Sequence, residues 1–276
     1  MSIATYISMM RILFCTAALI ATSTAAIAAD PMAPPATATL IEGWQQADGT
    51  RVSAVQITMA EGWHTYWRAP GDAGIPPQFK WNGSRNLNAV SVNWPTPELF
   101  SQNGMRSVGY SNQVILPLSV SAKRHNKPVH LKLNLEIGVC KDICVPQTLT
   151  LDGVLNNQNA IPTPAIAAAL AERPFTAAEA GARGATCSMS PSEDGLNITA
   201  HLNVPPTGSS EFVVIEAGRP DVWVSEAAVS RNGNMLTAQA EIIPNGTGAF
   251  AVDRSALRFT VMGASHAVDI RGCAPS

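Results

Sequence analysis

The sequence predicts an all-β protein of two β-sandwich domains joined by a short helical linker, and three observations support this. Residues 129–137 alternate without interruption: Val129, Leu131, Leu133, Leu135 and Ile137 are apolar and the residues between them polar. That is the period of a strand with one face buried. Short runs rich in Val, Ile, Leu and Thr recur along the chain, separated by stretches rich in Pro and Gly. Only residues 163–172 carry a helix signature.

The chain opens with a segment that reads as an export signal. Arg11 precedes the apolar run 12–20, and Ala26-Ile27-Ala28 fits a signal-peptidase site. The run falls short of the roughly 20 residues that span a bilayer. Cleavage after residue 28 is expected, with periplasmic residence. Bulky Leu13 and Phe14 before Cys15 argue against a lipoprotein. Cys15 would leave with the signal, so the mature chain would keep Cys140, Cys144, Cys187 and Cys273, an even number in an oxidising compartment. Losing Arg11 leaves 17 bases against 20 acids, a net charge of −3. Nothing in that balance points to nucleic acid or an anionic membrane surface, and no later apolar stretch approaches spanning length.

Residues 36–156 are expected to form the first domain. Its strands are expected at 51–59, 114–120, 129–137 and 148–151, with long irregular loops at 69–77 and 93–109. Residues 160–184 read as a linker: Thr163 can cap a helix with Pro164 at its first position, a mostly alanine run follows, and Pro174 stops it. Residues 185–276 read as a second all-β domain with strands at 196–204, 211–215, 235–243 and 256–262. Asn232-Gly233 marks a hairpin turn. The second half shows no sequence repeat of the first, and no metal-ligand spacing, phosphate loop or clustered carboxylates.

Chemistry concentrates in Gly138-Val139-Cys140-Lys141-Asp142-Ile143-Cys144-Val145-Pro146. A disulfide closing so small a ring removes little unfolded-state entropy, roughly 2 kcal/mol, whereas one closing the chain between Cys187 and Cys273 is worth roughly 4.5 kcal/mol. The close pair is therefore better explained by chemistry than by stapling. Gly138 permits a bulge that would shift Cys140 out of the preceding alternation. Val139, Ile143 and Val145 would shield the sulfurs, while Lys141 favours a thiolate and Asp142 opposes it. An inert local disulfide and a metal-binding pair remain the alternatives to redox exchange.

Further segments bear on that pair. Gly62-Trp63-His64-Thr65-Tyr66-Trp67-Arg68, Pro70-Gly71-Asp72-Ala73-Gly74, Val108-Gly109-Tyr110, Leu116-Pro117-Leu118 and the cysteine segment together resemble the amino-terminal periplasmic domain of the DsbD thiol:disulfide interchange family, over roughly residues 37–155. The resemblance implies an immunoglobulin-like sandwich, and for the whole chain two immunoglobulin-like β-sandwich domains, since longer relatives, some linked to copper tolerance, carry a second sandwich. It implies a cysteine pair that takes electrons from a thioredoxin-like domain and passes them to periplasmic acceptors. By position, Cys144 would form the mixed disulfide and Cys140 would resolve it. His64 and Tyr66 fall where the family places aromatic residues beside the sulfurs. Phe100, in Glu98-Leu99-Phe100, is the candidate for the family's capping aromatic.

The better-known members space their cysteines further apart and continue into a transmembrane and a thioredoxin-like domain. Neither follows in this sequence, so the expected partners are thioredoxin-like periplasmic proteins and a separate membrane electron donor. No cofactor and no metal is expected.

A neighbouring imidazolium at His64 would lower a cysteine pKa, although a lone histidine is more often an ordinary half-buried strand residue. Trp63, Trp67, Trp81 and Trp94 read as packing aromatics. Cys187 and Cys273, near the two ends of the second domain, read as a structural disulfide. The rivals to thiol exchange are a non-catalytic binding or scaffold protein and a copper-binding protein using the sulfurs with His64 and Met105, soft ligands suited to Cu(I).

Overall fold

Alternating residues settle into hydrogen-bonded ladders over more than half of the described chain. The computed structural model describes residues 34–72, 74–102, 104–156, 161–246 and 250–276. The expected signal peptide, 1–28 with Cys15, lies outside them. Ten strands build the first sandwich: β1 (Ala36–Gln45), β2 (Arg51–Met59), β3 (His64–Gly71), β4 (Gln78–Lys80), β5 (Leu87–Val92), β6 (Glu98–Gln102), β7 (Met105–Ser111), β8 (Gln113–Ala122), β9 (Val129–Cys140) and β10 (Cys144–Leu155). One sheet has the order β1-β2-β8-β5 and the other β10-β9-β3-β7-β6, with β4 also paired to β9. Every pairing among these strands is antiparallel.

The alternation of β9 buries Val129, Leu131, Leu133, Leu135, Ile137 and Val139 in one core with Val55, Ile57, Leu116, Leu118 and Val120 from the facing sheet. Burying such side chains at about 25 cal/mol per Å² of apolar surface is the main force holding the two sheets together. Arg51 closes one end of this interior: it is 2 % exposed, and its Nη2 donates to the carbonyls of His125 and Lys127 at 2.8 and 2.9 Å. Trp67 is wholly buried in the same core, and Trp63, Trp81 and Trp94 pack against it.

Two expectations need correcting. The stretch 93–109 is not all loop, because β6 and β7 pair there as a hairpin from Glu98↔Gly109 to Gln102↔Met105. Gly138 opens no bulge: the β9–β10 ladder runs in unbroken register from Leu155↔Val129 to Cys144↔Cys140. Strand β3 escaped a periodicity search because Thr65, Tyr66 and Trp67 are all buried, so no polar face marks it.

Helix α1 (Pro164–Ala171) lies against the outside of the first sandwich, where Ile166 is fully buried with Trp44, Val52 and Ala54. Thr163 occupies the N-cap position without capping through its side chain. Its hydroxyl donates instead to the Glu42 carbonyl, 3.2 Å away, tying the helix to β1.

The second sandwich comprises β11 (Phe175–Thr176), β12 (Gly184–Pro191), β13 (Leu196–Asn203), β14 (Phe212–Glu216), β15 (Val222–Val224), β16 (Ala228–Asn232), β17 (Met235–Pro244), β18 (Arg258–Met262), β19 (Ala267–Arg271) and β20 (Ala274–Pro275). Its sheets have the orders β11-β19-β18-β14 and β15-β17-β13-β12-β20, with β16 also on β17. The expected hairpin forms one residue later than Asn232-Gly233: Asn232 is the last ladder residue, opposite Met235, and Gly233, at φ +57°, and Asn234 make the turn.

Residues 34–276 form one compact unit. Phe212, Val214, Met262 and Ala267 of the second sandwich belong to the same buried cluster as the first sandwich's core. Arg68 of β3 donates from Nε and Nη2 to the carboxylate of Glu216 on β14, at 3.0 and 2.9 Å. The two sandwiches are therefore docked through a shared apolar contact with a bidentate ion pair across it.

Candidate functional site

The cysteine ring is the turn of the β9–β10 hairpin. Cys140 and Cys144 form its last cross-strand pair, with Cα atoms 4.1 Å apart and the sulfurs bonded. Lys141, Asp142 and Ile143 make the turn, closed by the Lys141 N–H donating to the Ile143 carbonyl. On the next strand, His64 stands directly opposite Cys140, and beyond it Ser111 of β7 stands opposite His64. Residues directly opposed across strands point to the same face. Cys144, Cys140, His64 and Ser111 thus form one row across four strands.

Unbroken register places Cys140 on the face of β9 that points away from the core. It is nevertheless 0 % exposed. The cover comes from Tyr66, two residues along β3 from His64, whose hydroxyl lies 2.9 Å from Cys140 Sγ and 3.3 Å from Cys144 Sγ. Disulfide sulfurs carry no hydrogen, so the phenol is the donor. Gly138 makes this possible, since a Cβ there would come within 3.1 Å of the Tyr66 ring and 3.0 Å of Ile75. Its role is to leave room for the tyrosine.

Cys144 is exposed, as are Lys141, Asp142 and Ile143 of the turn, with Ile143 67 % exposed. The pair is chemically asymmetric: a visiting sulfur can reach Cys144, while Cys140 sits behind it.

The His64 ring stacks on Phe100 at 4.5 Å between centroids and meets Tyr66 edge-on at 5.7 Å. Phe100, on β6, so joins the aromatic cover through His64. Burial pushes the His64 pKa below its usual value and that of Tyr66 above its own. At neutral pH the histidine is therefore an uncharged ring, which weakens any imidazolium effect on the thiols, and Tyr66 remains a donating phenol. Lys141 Nζ reaches the Glu61 carbonyl at 3.3 Å.

Met105 lies at the β6–β7 turn, opposite Gln102 and 51 % exposed. Among the described residues no group of three His, Cys, Asp or Glu side chains is placed to hold a metal ion. No helix among them is long and apolar enough to cross a membrane. Cys187 and Cys273 are bonded to each other inside the second sandwich.

Sequence reasoning named Cys140, Cys144, His64, Tyr66 and Phe100, and the structure brings these five together. It did not find Ile75, and it gave Gly138 the wrong task, because both act only through the tertiary contact with Tyr66.

The tyrosine hydroxyl should matter most once the disulfide opens, when it can donate to a thiolate. A hydrogen bond to a charged acceptor contributes about 2 kcal/mol, and one pKa unit corresponds to about 1.4 kcal/mol. Tyr66→Phe is therefore expected to raise the apparent pKa of the reduced pair by about one unit. The rate of alkylation against pH measures this, and a profile superimposable on the wild type would show that the phenol does not reach the thiolate.

Comparisons with known proteins agree with this geometry. Residues 30–156 match the family described as thiol:disulfide interchange protein DsbD, N-terminal. No curated protein sequence matches the chain significantly. Among solved structures, the N-terminal periplasmic domain of ScsB from Proteus mirabilis superposes with a TM-score of 0.67 at 19 % identity, covering 90 % of this chain and 96 % of that one. That overlap runs beyond the family match into the second sandwich, so the shared fold includes both. Over residues 30–156, then, the chain carries an amino-terminal domain of the DsbD thiol:disulfide interchange family.

Proposed function

We propose that the protein is a periplasmic thiol:disulfide exchange protein that passes reducing equivalents through Cys140 and Cys144 to disulfide-bonded partner proteins. The observation that carries this is the asymmetry of the pair, with Cys144 open to a visitor and Cys140 buried directly across the strand. In the reduced protein the Cys144 thiolate attacks one sulfur of the partner's disulfide, and the other partner sulfur leaves as a thiolate. Cys140 then loses its proton and attacks Cys144 Sγ. The Cys140–Cys144 bond forms, the mixed disulfide breaks, and the partner departs with two thiols, having gained two electrons and two protons.

A thiol donor must then reopen the ring. A thioredoxin-like domain on another polypeptide, itself supplied by a membrane electron donor, has the required chemistry. The first sandwich stays folded in both states because its core lies on the opposite face of β9 from the sulfurs.

Redox titration in dithiol buffers of graded potential, read by mass spectrometry after alkylation, tests the proposal. The pair Cys140/Cys144 should titrate as a two-electron couple while Cys187–Cys273 stays oxidised. A close pair that remains bonded throughout mild dithiol treatment would sink the proposal.

A further inference from the structure

Positive charge gathers at the end of the first sandwich away from the cysteines. Three segments meet there: the turn 82–86 before β5, the β8–β9 loop 123–128, and the first residues of β9. They bring together Arg85, Lys123, Arg124, Lys127 and Lys132, all exposed. None of the five forms an ion pair among the described residues. Two carboxylates approach the group, Asp48 near His125 and Asp152 across the ladder from Lys132. The negative charge of the whole chain hides this cluster, because Arg68, Arg106, Arg219, Arg231 and Arg258 each hold a carboxylate elsewhere.

The loop is held so that its cations face outward. Its carbonyls turn inward: Asn86 Nδ2 donates to those of Arg124, Lys127 and Pro128, each at 3.0 Å, and Arg51 Nη2 to those of His125 and Lys127. Asn86 Oδ1 accepts the Arg124 N–H at 2.8 Å, with Asn86 itself at φ +57°. With these acceptors engaged underneath, the outer surface is left to the side chains.

Arg51 adds to the same field from below. It is 2 % exposed, it belongs to no ion pair among the described residues, and its Nε and Nη1 have no hydrogen-bond partner there. A buried cation without a counterion is destabilising. Salt screens it less than it screens an exposed charge, so an anion placed over the loop offsets it.

The chemistry of the surface selects the kind of anion. Apart from Val154, opposite His130, this end shows no exposed large apolar side chain among the described residues. Protein interfaces are centred on such anchors, above all aromatic ones, and small ligands are held in concave sites. A sheet of lipid phosphates requires neither, since every Lys or Arg near it adds its own attraction.

We infer that this end of the first sandwich rests on an anionic phospholipid surface, with Arg85, Lys123, Arg124, Lys127 and Lys132 meeting lipid phosphates above the buried Arg51. The contact is peripheral and inserts nothing into the bilayer. The outward face of β9 carries His130 and Lys132 at this end and Cys140 at the other, about 34 Å from His130 at strand spacing. Cys144, paired with Cys140, is thereby held clear of the membrane. A folded partner domain of about 100 residues, with a radius of gyration of about 13 Å, has room to reach it.

The test is co-sedimentation of the mature chain with vesicles of phosphatidylcholine containing about 40 % phosphatidylglycerol. At about 50 mM salt the protein should partition onto them about tenfold more strongly than onto pure phosphatidylcholine, and about 300 mM salt should remove most of the difference. The triple variant Lys123→Ser, Arg124→Ser, Lys127→Ser should lose about tenfold in partitioning, whereas Arg183→Ser, an exposed cation outside the first sandwich, should lose less than about twofold. The loop is fixed through its main chain, so the triple variant should keep the wild-type melting temperature. The comparison of the two lipids stands however that variant folds.

Equal partitioning onto both kinds of vesicle, or a triple variant that binds like the wild type, would overturn the inference. A glutamate peptide of about ten residues that binds the loop at about 150 mM salt, with the anionic vesicles left unbound, would overturn it too and assign the patch to an acidic protein segment. All of these outcomes are read without thiol chemistry, so they leave the exchange reaction at Cys144 standing or falling by its own test.

Discussion

Cys144→Ser is expected to abolish disulfide exchange altogether, whereas Cys140→Ser should retain the first half of the reaction and accumulate mixed disulfides. The two sulfurs belong to one bond but differ in reach. Cys144 is exposed at the hairpin turn, while Cys140 is fully covered by Tyr66 and its neighbours. An incoming thiolate or disulfide can align with Cys144 Sγ alone, so serine there removes both the nucleophile and the point of attack. Serine at residue 140 removes only the group that resolves the intermediate.

Neither change should cost much stability, because a five-residue ring restrains the unfolded chain by only about 2 kcal/mol on the entropic account. Non-reducing electrophoresis and intact mass of each variant after incubation with periplasmic extract would separate the cases. Adducts on Cys144→Ser through Cys140, with none on Cys140→Ser, would reverse the assignment of the two sulfurs.

Arg68→Ala is expected to weaken the contact between the sandwiches by stranding the Glu216 carboxylate. The guanidinium lies over the Trp67 ring at 3.7 Å and is forked onto Glu216, with side-chain exposures of 13 and 20 %. With Arg68 gone, the nearest cation to Glu216 is Arg258, 4.0 Å away and already engaged with Asp269. Removing one member of a buried pair costs 3–5 kcal/mol because the other stays buried and unpaired. Partial exposure here lowers that to about 2 kcal/mol, or about 5 °C in melting temperature for a unit of this size.

Replacing both partners by methionine should lose less than Arg68→Ala, since no stranded charge remains. Calorimetry of the single and double variants decides this, and a double variant less stable than Arg68→Ala would show that the pair itself, rather than the stranded carboxylate, carries the energy.

How much of this was legible beforehand varied with the range of the interaction involved. The β9 strand announced itself because one face meets the core and the other does not. The hairpin at Asn232-Gly233 was plain too, because glycine accepts the positive φ of a tight turn, although the turn itself is Gly233-Asn234 and Asn232 still belongs to the ladder. The β6–β7 hairpin was read as loop because its residues show no clean alternation, and β3 was missed because it is buried on both faces. Gly138 looked like a bulge because glycine is a usual marker of one. Nothing local signals that a tyrosine seventy-two residues earlier needs the space its missing side chain leaves.

Local order along the chain therefore determined the all-β class, the two sandwiches and the place of the close cysteine pair, because alternation, turn chemistry and cysteine spacing are properties of neighbouring residues. Tertiary structure alone decided that Cys144 is open and Cys140 closed, that the Tyr66 hydroxyl attends the sulfurs, and that the second sandwich docks against the first. Those outcomes depend on strand register and on the docking of Phe212 and Val214 into the first core. Such contacts join residues far apart in the chain, and the free energy that selects them exists only once the sheets have packed.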